Sequence, residues 1–325
     1  MAIPFNMVSG DSKRALEEFS TEFDGAFLAA DSEAWSKFAG LWKTSNAIRT
    51  TYPVPVSAAG YVERKGDDKM RSLYERSLSM KTREWVDGVQ ELARIVEAPD
   101  FIGWAGEPAR IAREAARLPD ILVAEMLEAN ANLGFYRDEQ TGTDLAIPLF
   151  SSVHPVNIFD GSLGVFDNDH SAADIDAAMM AAAFTRFRAK KGSNGKLMRL
   201  KPTHMVVPGA LEQAARDFLE IDLQRYTILE GGVGPNTQLT ANNRFKGIVQ
   251  LVVGEDLTSE TQIYLLDATA NAYPWIVQST GTPEQITYDK TDALYKDNGR
   301  IGVKYILGLA CAAALPHAIE RITIT

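Results

Sequence analysis

The chain has 325 residues, 46% of them hydrophobic and 23% charged, with a formal net charge of -10 and a pI near 5.0. This is ordinary globular composition, long enough for a sizeable core in two or so domains, and its acidic balance repels polyanions, which disfavours nucleic-acid readout. One cysteine, Cys311, excludes an intrachain disulfide and a multi-cysteine metal knot.

The opening MAIPFNMVSG lacks the basic and apolar regions of a secretory signal. The longest apolar run, Tyr305–Pro316, is about half the roughly 20 residues that a membrane-spanning helix needs, so a cytoplasm-like milieu is expected. Over residues 11–43, Phe19, Phe23, Phe27, Trp35, Phe38, Leu41 and Trp42 recur at helical spacings, which predicts two short amphipathic helices joined near Asp31. Aromatic helices ahead of any evident core read as an arm that needs a surface, on a neighbour or on the same chain. From Thr50 to Pro99, Pro53 and Pro55 force extended backbone and Gly60 and Gly66-Asp67-Asp68 supply turns. Large apolar residues are few and scattered there, so the segment predicts a projecting two-stranded excursion with a helical turn near Lys69–Arg76.

The stretch Glu107–Asn130 carries Ile111, Ala115, Leu118, Leu122, Met126 and Ala129 at steps that average the α-helical period, marking one buried face. Pro119 inside the stripe predicts a kink or brief break. Arg110, Arg113 and Arg117 form a basic ridge on the other side, partly answered by Glu114. Prolines and glycines then chop residues 147–170 into short strands and turns. Ser171 with Asp174 predicts the start of an Ala/Met-rich helix that ends at basic residues and Gly192. KPTHMVVPG reads as a buried strand, ALEQAARDFLEIDLQ as an amphipathic helix and Gly231–Gly247 as a loop. IVQLVVG, TQIYLLDA and PWIVQ are three strand-like runs, and the closing RIGVKYILGLACAAALPHAIERITIT begins strand-like and returns beside the central helix. The fold class is α+β.

Few residues point to chemistry. His154, Asp167, Asp169 and His170 concentrate metal-ligand types, and a metal-dependent hydrolase using His154, Asp169 and His170 is the rival function. Yet there is no HExxH, and DNDHSAAD lacks the glycine and closing glutamate of a calcium loop, so a turn before a helix is the plainer reading. Gly231, Gly232 and Gly234 are followed by no Gly-Lys-Ser/Thr, no GxSxG elbow exists, and Cys311 lies in an apolar run without the electropositive setting of a nucleophile. Lys190, Lys191, Lys196, Arg199 and Lys201 surround a Gly-Ser-Asn-Gly turn that could touch phosphate; in so acidic a chain the reading is a solvated loop. These residues call for no cofactor, no metal and no catalysis.

Taken in order, the aromatic arm, YPVPVSAAGYVERK, MKTREWVDGV, IVEAPDFIGW, ARLPDILVAEMLEAN, IPLFSSVHPVN and KGSNGKLMRLKPTHMVVPGALEQAA resemble the major head subunit of Mu-like phages and prophages, and so the HK97-like capsid fold. The likest pieces are Ala116–Leu127, Phe150–Val156 and Lys196–Ala214, and the likeness spans roughly Trp35 to Leu219. The resemblance implies an N-terminal arm (1–50), an E-loop reaching over the adjacent subunit (51–98), a P-domain with a long spine helix (99–165 with 285–325) and an axial A-domain (166–284). It implies a virion protein that assembles with itself into pentamers and hexamers, forms the head shell of a tailed phage and encloses double-stranded DNA without reading its sequence. An acidic lining would let that DNA slide. Portal and a separate scaffold or decoration protein are the further partners implied, and the lysine, asparagine and glutamate set that crosslinks some relatives has no motif here. Interface side chains would be Phe19, Phe23 and Phe27 on the arm, Met70, Leu73, Tyr74, Leu78, Met80 and Trp85 on the loop, and Arg110, Arg113 and Arg117 on the spine.

Overall fold

The computed structural model describes residues 12–30, 34–37, 39–43, 49–53, 77–98, 104, 106–130, 137–138, 143–144, 147–157, 161–221, 223–228, 237–269 and 274–325. Helix α1 (Ser12–Ala29) leads through a 3-10 turn at Ala34–Lys37 to β1 (Ala39–Lys43). Next come β2 (Arg49–Pro53), β3 (Ser77–Lys81), β4 (Arg83–Leu92), the single turn α2 (Ala93–Val96) and α3 (Glu107–Ala129). Two-residue ladders join β5 (Arg137–Asp138) to β6 (Thr143–Asp144) and β7 (His154–Pro155) to β8 (Val165–Phe166). The chain continues through β9 (Asp169–Ala172), α4 (Ala177–Ala189), β10 (His204–Pro208), α5 (Glu212–Glu220), β11 (Leu223–Ile228), β12 (Thr237–Asn242), β13 (Gln250–Gly254) and β14 (Gln262–Leu266). It ends with β15 (Trp275–Ser279), β16 (Glu284–Tyr288), α6 (Ala293–Asn298), β17 (Arg300–Ala313) and β18 (Ile319–Ile324).

Two five-stranded sheets organise these elements. The first runs β1-β15-β17-β16, with β4 also paired to β17; the second runs β13-β10-β14-β18-β9. The β4–β17 ladder pairs Arg83–Leu92 with Arg300–Leu309, and it depends on two glycines. A Cβ on Gly88 would collide with Val303 O, and one on Gly302 with Val89 O, so only glycine lets the backbones come this close. A central core lies between the sheets and includes Trp275, Tyr264, Leu266, Leu309 and Phe150. The other face of the second sheet buries Met180, Phe187, Met205, Phe218 and Ile263 beneath α4 and α5.

Several expectations need correction. The second arm helix is instead a turn and a strand, because Ala39–Lys43 pairs in parallel with Trp275–Ser279, a tertiary contact invisible in local spacing. Ser171 does not cap a helix: it lies in β9, paired with Thr323, and α4 is capped five residues later by Asp176, whose Oδ1 accepts from Met179 N–H at 2.7 Å. Part of the expected loop 231–247 is strand, Thr237–Asn242 laddered to Leu223–Ile228. The two sheets also divide the chain differently from the expected segments. Trp275–Ser279 joins the first sheet, and the terminal strand Ile319–Ile324 joins the second.

The arm helix is finished within its own subunit. Phe19 and Phe23 are fully buried, Phe23 stacks on Tyr305 with ring centroids 3.6 Å apart, and Phe19 meets Trp104 edge-on at 5.6 Å. The strand β17 supplies Ile301, Val303 and Tyr305 beneath them, and α3 supplies Ile111 and Ala112. Of the two surfaces the aromatic stripe allowed, a neighbour or the same chain, α1 takes the second.

A buried polar hub fixes the terminal strand. Glu320 has no exposure, and its carboxylate meets Arg186 at 3.0 Å and Lys190 at 3.1 Å, while Asp169 receives two hydrogen bonds from Arg321 at 2.9 and 2.7 Å. Asn168 donates to Leu149 O and Pro316 O and accepts from Ser151 N–H, tying three chain segments together. His154 is bonded to Leu149 O at 3.0 Å and stacks on Phe166; burial holds its pKa down to about 4. Burial, then the nearby Arg186, also holds His170 below its usual value.

Phe23→Ala should cost about 3–5 kcal/mol in urea unfolding if α1 is part of the folded core; an unchanged midpoint would mean the helix is only laid on. Because His154 and His170 bind protons more weakly folded than unfolded, stability is full above their unfolded pKa of about 6.5 and falls as pH drops through it, for His154 down to about pH 4. His154→Gln should therefore flatten the pH dependence of the unfolding midpoint between pH 6.5 and 4.5, and an unaltered slope would refute this assignment.

Candidate assembly surface

The surface features cluster around α3. It is one unbroken helix through Pro119, with no break at the proline, and its most buried residues are Ile111, Ala112, Pro119, Val123, Ala124 and Leu127. The expected stripe is rotated by about one position: Leu118, Leu122 and Met126 are only partly buried at the edge of the central core. Ala112 is buried in the cluster with α1 and β17, and Ala124 in the central core.

Polar side chains of α3 and of its C-cap, Asn130, bind three other parts of the chain. Asp120 Oδ1 accepts from Trp35 N–H at 2.8 Å, and Asn130 Oδ1 accepts from Phe150 N–H at 2.7 Å. Arg117 makes a two-pronged contact with Asp256 at 2.5 and 3.2 Å. Glu128 accepts from Thr258 N–H (2.6 Å), Thr258 Oγ1 (2.7 Å) and Ser259 N–H (2.7 Å). Helix and β13–β14 loop thus border a cleft of about 780 Å³ with a floor that includes Val123, Leu127, Val206 and Leu257. Of the basic ridge, Arg117 is taken up by Asp256, Arg110 by Glu107 at 2.7 Å, and Arg113 donates to Ala109 O at 3.1 Å. Sequence reasoning missed Glu128 and Asp256. A carboxylate in the last turn of a helix opposes the macrodipole, so Glu128 carried a readable signal that it answers donors elsewhere.

The hairpin base is stitched into the same frame. Leu78 and Met80 are buried in the central core, Tyr52 donates its hydroxyl to Gln278 Oε1 at 2.6 Å, and Gln278 in turn donates to Thr82 Oγ1. Trp85 donates its indole N–H to Leu309 O at 3.3 Å, and Phe27 is partly buried beside Phe23. Phe19, Phe23, Leu78 and Met80 are therefore occupied within the subunit, whereas Arg110 and Arg113 are exposed. Met70, Leu73 and Tyr74, with the expected helical turn, lie outside the described residues. On β4, Asp87 and Glu91 accept from the next residues' N–H groups, Gly88 and Leu92, and so cap part of the strand with their own carboxylates.

The rival metal site has no support. His154, Asp169 and His170 each belong to the buried hub, Asp169 is engaged by Arg321, and the groups around His170 are Asp167, Glu320, Arg186 and Lys190. Among the described residues no group of three or more His, Cys, Asp or Glu side chains could hold a metal ion, and burial pushes the Cys311 thiol up to about 12. No described helix is long and apolar enough to cross a membrane.

Comparison with known proteins gives one consistent answer. The profile of the phage capsid protein family matches residues 95–321. The major capsid protein of Escherichia phage Mu is 43% identical over 70 residues, which make up 22% of this chain and about a fifth (20%) of that relative's length. Among solved structures, a chain of Mycobacterium phage Patience is similar with a TM-score of 0.51 and 12% identity, covering 100% of this chain and 95% of that one. The bacteriophage JBD30 procapsid chain is similar with a TM-score of 0.50 and 12% identity, covering 97% of this chain and 77% of that one. Such identities speak to fold alone, and that fold is the HK97-like one. With more than two thirds of its residues inside the matched profile, the chain belongs to the phage capsid protein family, a structural family of head-shell proteins and not of enzymes.

Proposed function

We propose that many copies of this chain assemble into pentamers and hexamers that tile the icosahedral head of a tailed phage or prophage. The observation that carries the reading is the family profile extending from α2 into β18, across both sheets and the α3 frame that joins them. On this reading α3 is the spine helix, the first sheet with α1 is the peripheral P-domain, and the second sheet with α4 and α5 is the axial A-domain. The segment between Pro53 and Ser77, carried by the separate β2–β3 pair, is the E-loop. Met70, Leu73 and Tyr74 of that segment meet the adjacent subunit, as do Trp85 and the exposed Arg110 and Arg113. The shell encloses double-stranded DNA without sequence readout, consistent with the net charge of -10. A portal, and a separate scaffold or decoration protein, complete the head. Each contact is modest, and closure over many copies makes the container stable.

Purified protein should form rings or shells of fixed diameter in negative-stain images; a monodisperse monomer at high concentration would contradict the reading. A finer test uses the loop. Because Pro53 and Ser77 are directly paired, residues 54–76 can be replaced by a short hairpin turn while β3 is spared. This variant should keep the parent's melting curve and lose assembly, whereas loss of folding would place the loop in the core.

A further inference from the structure

The Gly-Ser-Asn-Gly stretch that reads as a solvated loop is a built feature. Gly192 N–H donates to Lys196 O at 2.9 Å, Gly195 N–H to Gly192 O at 2.9 Å and Met198 N–H to Lys190 O at 3.0 Å, and Lys191 bridges Leu197. Arg199, just past the hairpin, holds a φ of 61°, a left-handed conformation that costs a non-glycine residue about 1 kcal/mol or more. The hairpin leans on the β7–β8 ladder: Asn157 Nδ2 donates to Ser193 O at 3.0 Å, and a Cβ on Gly195 would stand 3.2 Å from Leu163 Cδ2. The two joined segments leave Val153 and Val165 each 60% exposed and Leu197 53% exposed. The 190–199 hairpin also carries the exposed charges of Lys191, Lys196 and Arg199, which no carboxylate among the described residues pairs.

Exposed valine and leucine on the same pair of segments as unpaired basic side chains fit a protein surface better than a phosphate backbone, which offers charge but nothing to cover the apolar groups. The complementary charge lies at the other end of the same sheet. Lys190 Nζ reaches Ile319 O, where β18 begins, whereas the β13–β14 loop leaves from Gly254, paired with Pro208 at the far end of β10. That loop exposes Glu255 and Glu260, and α3, held against it by Glu128, exposes Glu125. A five-residue strand, roughly 17 Å, keeps the two ends apart within one subunit. Between copies they make a head-to-tail contact, the kind that closes into a ring. We propose that the β7–β8 ladder and the 190–199 hairpin dock on the acidic β13–β14 loop of a second copy of this chain.

The proposal rests on the shell reading for its partner. The K191E/K196E variant should melt like the parent and lose about tenfold or more in assembled fraction, an effect weakened by salt. Adding Glu255→Lys and Glu260→Lys to the same chain should restore assembly to within about twofold of the parent. Unimpaired assembly of the folded K191E/K196E variant overturns the proposal, as does a folded fourfold variant that fails to recover. So does a variant that assembles normally but retains less DNA, which would assign the face to phosphate. A parent chain that never assembles overturns the shell reading along with it, and so separates the two failures.

Discussion

Each part of the helix Glu107–Ala129 answers to a different part of the molecule, and the fold follows from that division. Ile111 and Ala112 close the aromatic cluster of α1 and β17, whereas Val123, Ala124 and Leu127 enter the core between the two sheets. Burying Val123 and Leu127 contributes about 1.5–3 kcal/mol each. The polar ties add direction to that adhesion: Arg117 and Glu128 fix the β13–β14 loop, Asp120 fixes the 3-10 turn before β1, and Asn130 fixes the segment that leads into the polar hub. Remove the helix, and the sheets keep their strands but lose the element that sets one against the other.

A shell subunit needs that kind of rigidity. Contacts between copies are individually small, and a subunit that flexed would spend much of each contact on ordering itself. The buried aromatic cluster, the Gly88 and Gly302 close approach and the Glu320 hub all remove such freedom before any neighbour arrives. Glu320 with Lys190 is costly to bury, and its hydrogen-bonded partners offset that cost only in the native register, which makes the terminal strand hard to place anywhere else.

The helix boundaries at Glu107 and Ala129, the strands at His204, Gln250, Gln262 and Trp275 and the helix at Glu212 were legible because period and turn residues agree there. The misses share a cause. Ala39–Lys43 and Ser171 are strand only because a distant partner supplies hydrogen bonds, and no local pattern reports a partner 236 positions away in Trp275 or 152 away in Thr323. The rotated face of α3 has another origin. Several residues on that helix are apolar enough to be buried, so hydrophobic spacing alone does not separate the face of Ala112, Val123, Ala124 and Leu127 from that of Leu118 and Leu122. The aromatic spacing of α1 was readable as amphipathic, but whether β17 or a neighbour would cover it was not, because burial within and between copies uses the same side chains. The basic turn at 190–199 looked like solvated charge because the exposed Val153 and Val165 belong to a segment 25 or more positions earlier, which Asn157 ties to Ser193.

The central claim is that each subunit completes its own core, arm helix included, before it meets another copy. Amide hydrogen exchange on free subunits and on assembled particles tests this directly. The account predicts that amides of residues 16–27 exchange equally slowly in both, while those between Pro53 and Ser77 gain protection on assembly. Protection of the 16–27 amides that appears only in the particle would contradict it, since α1 would then be finished by a neighbour.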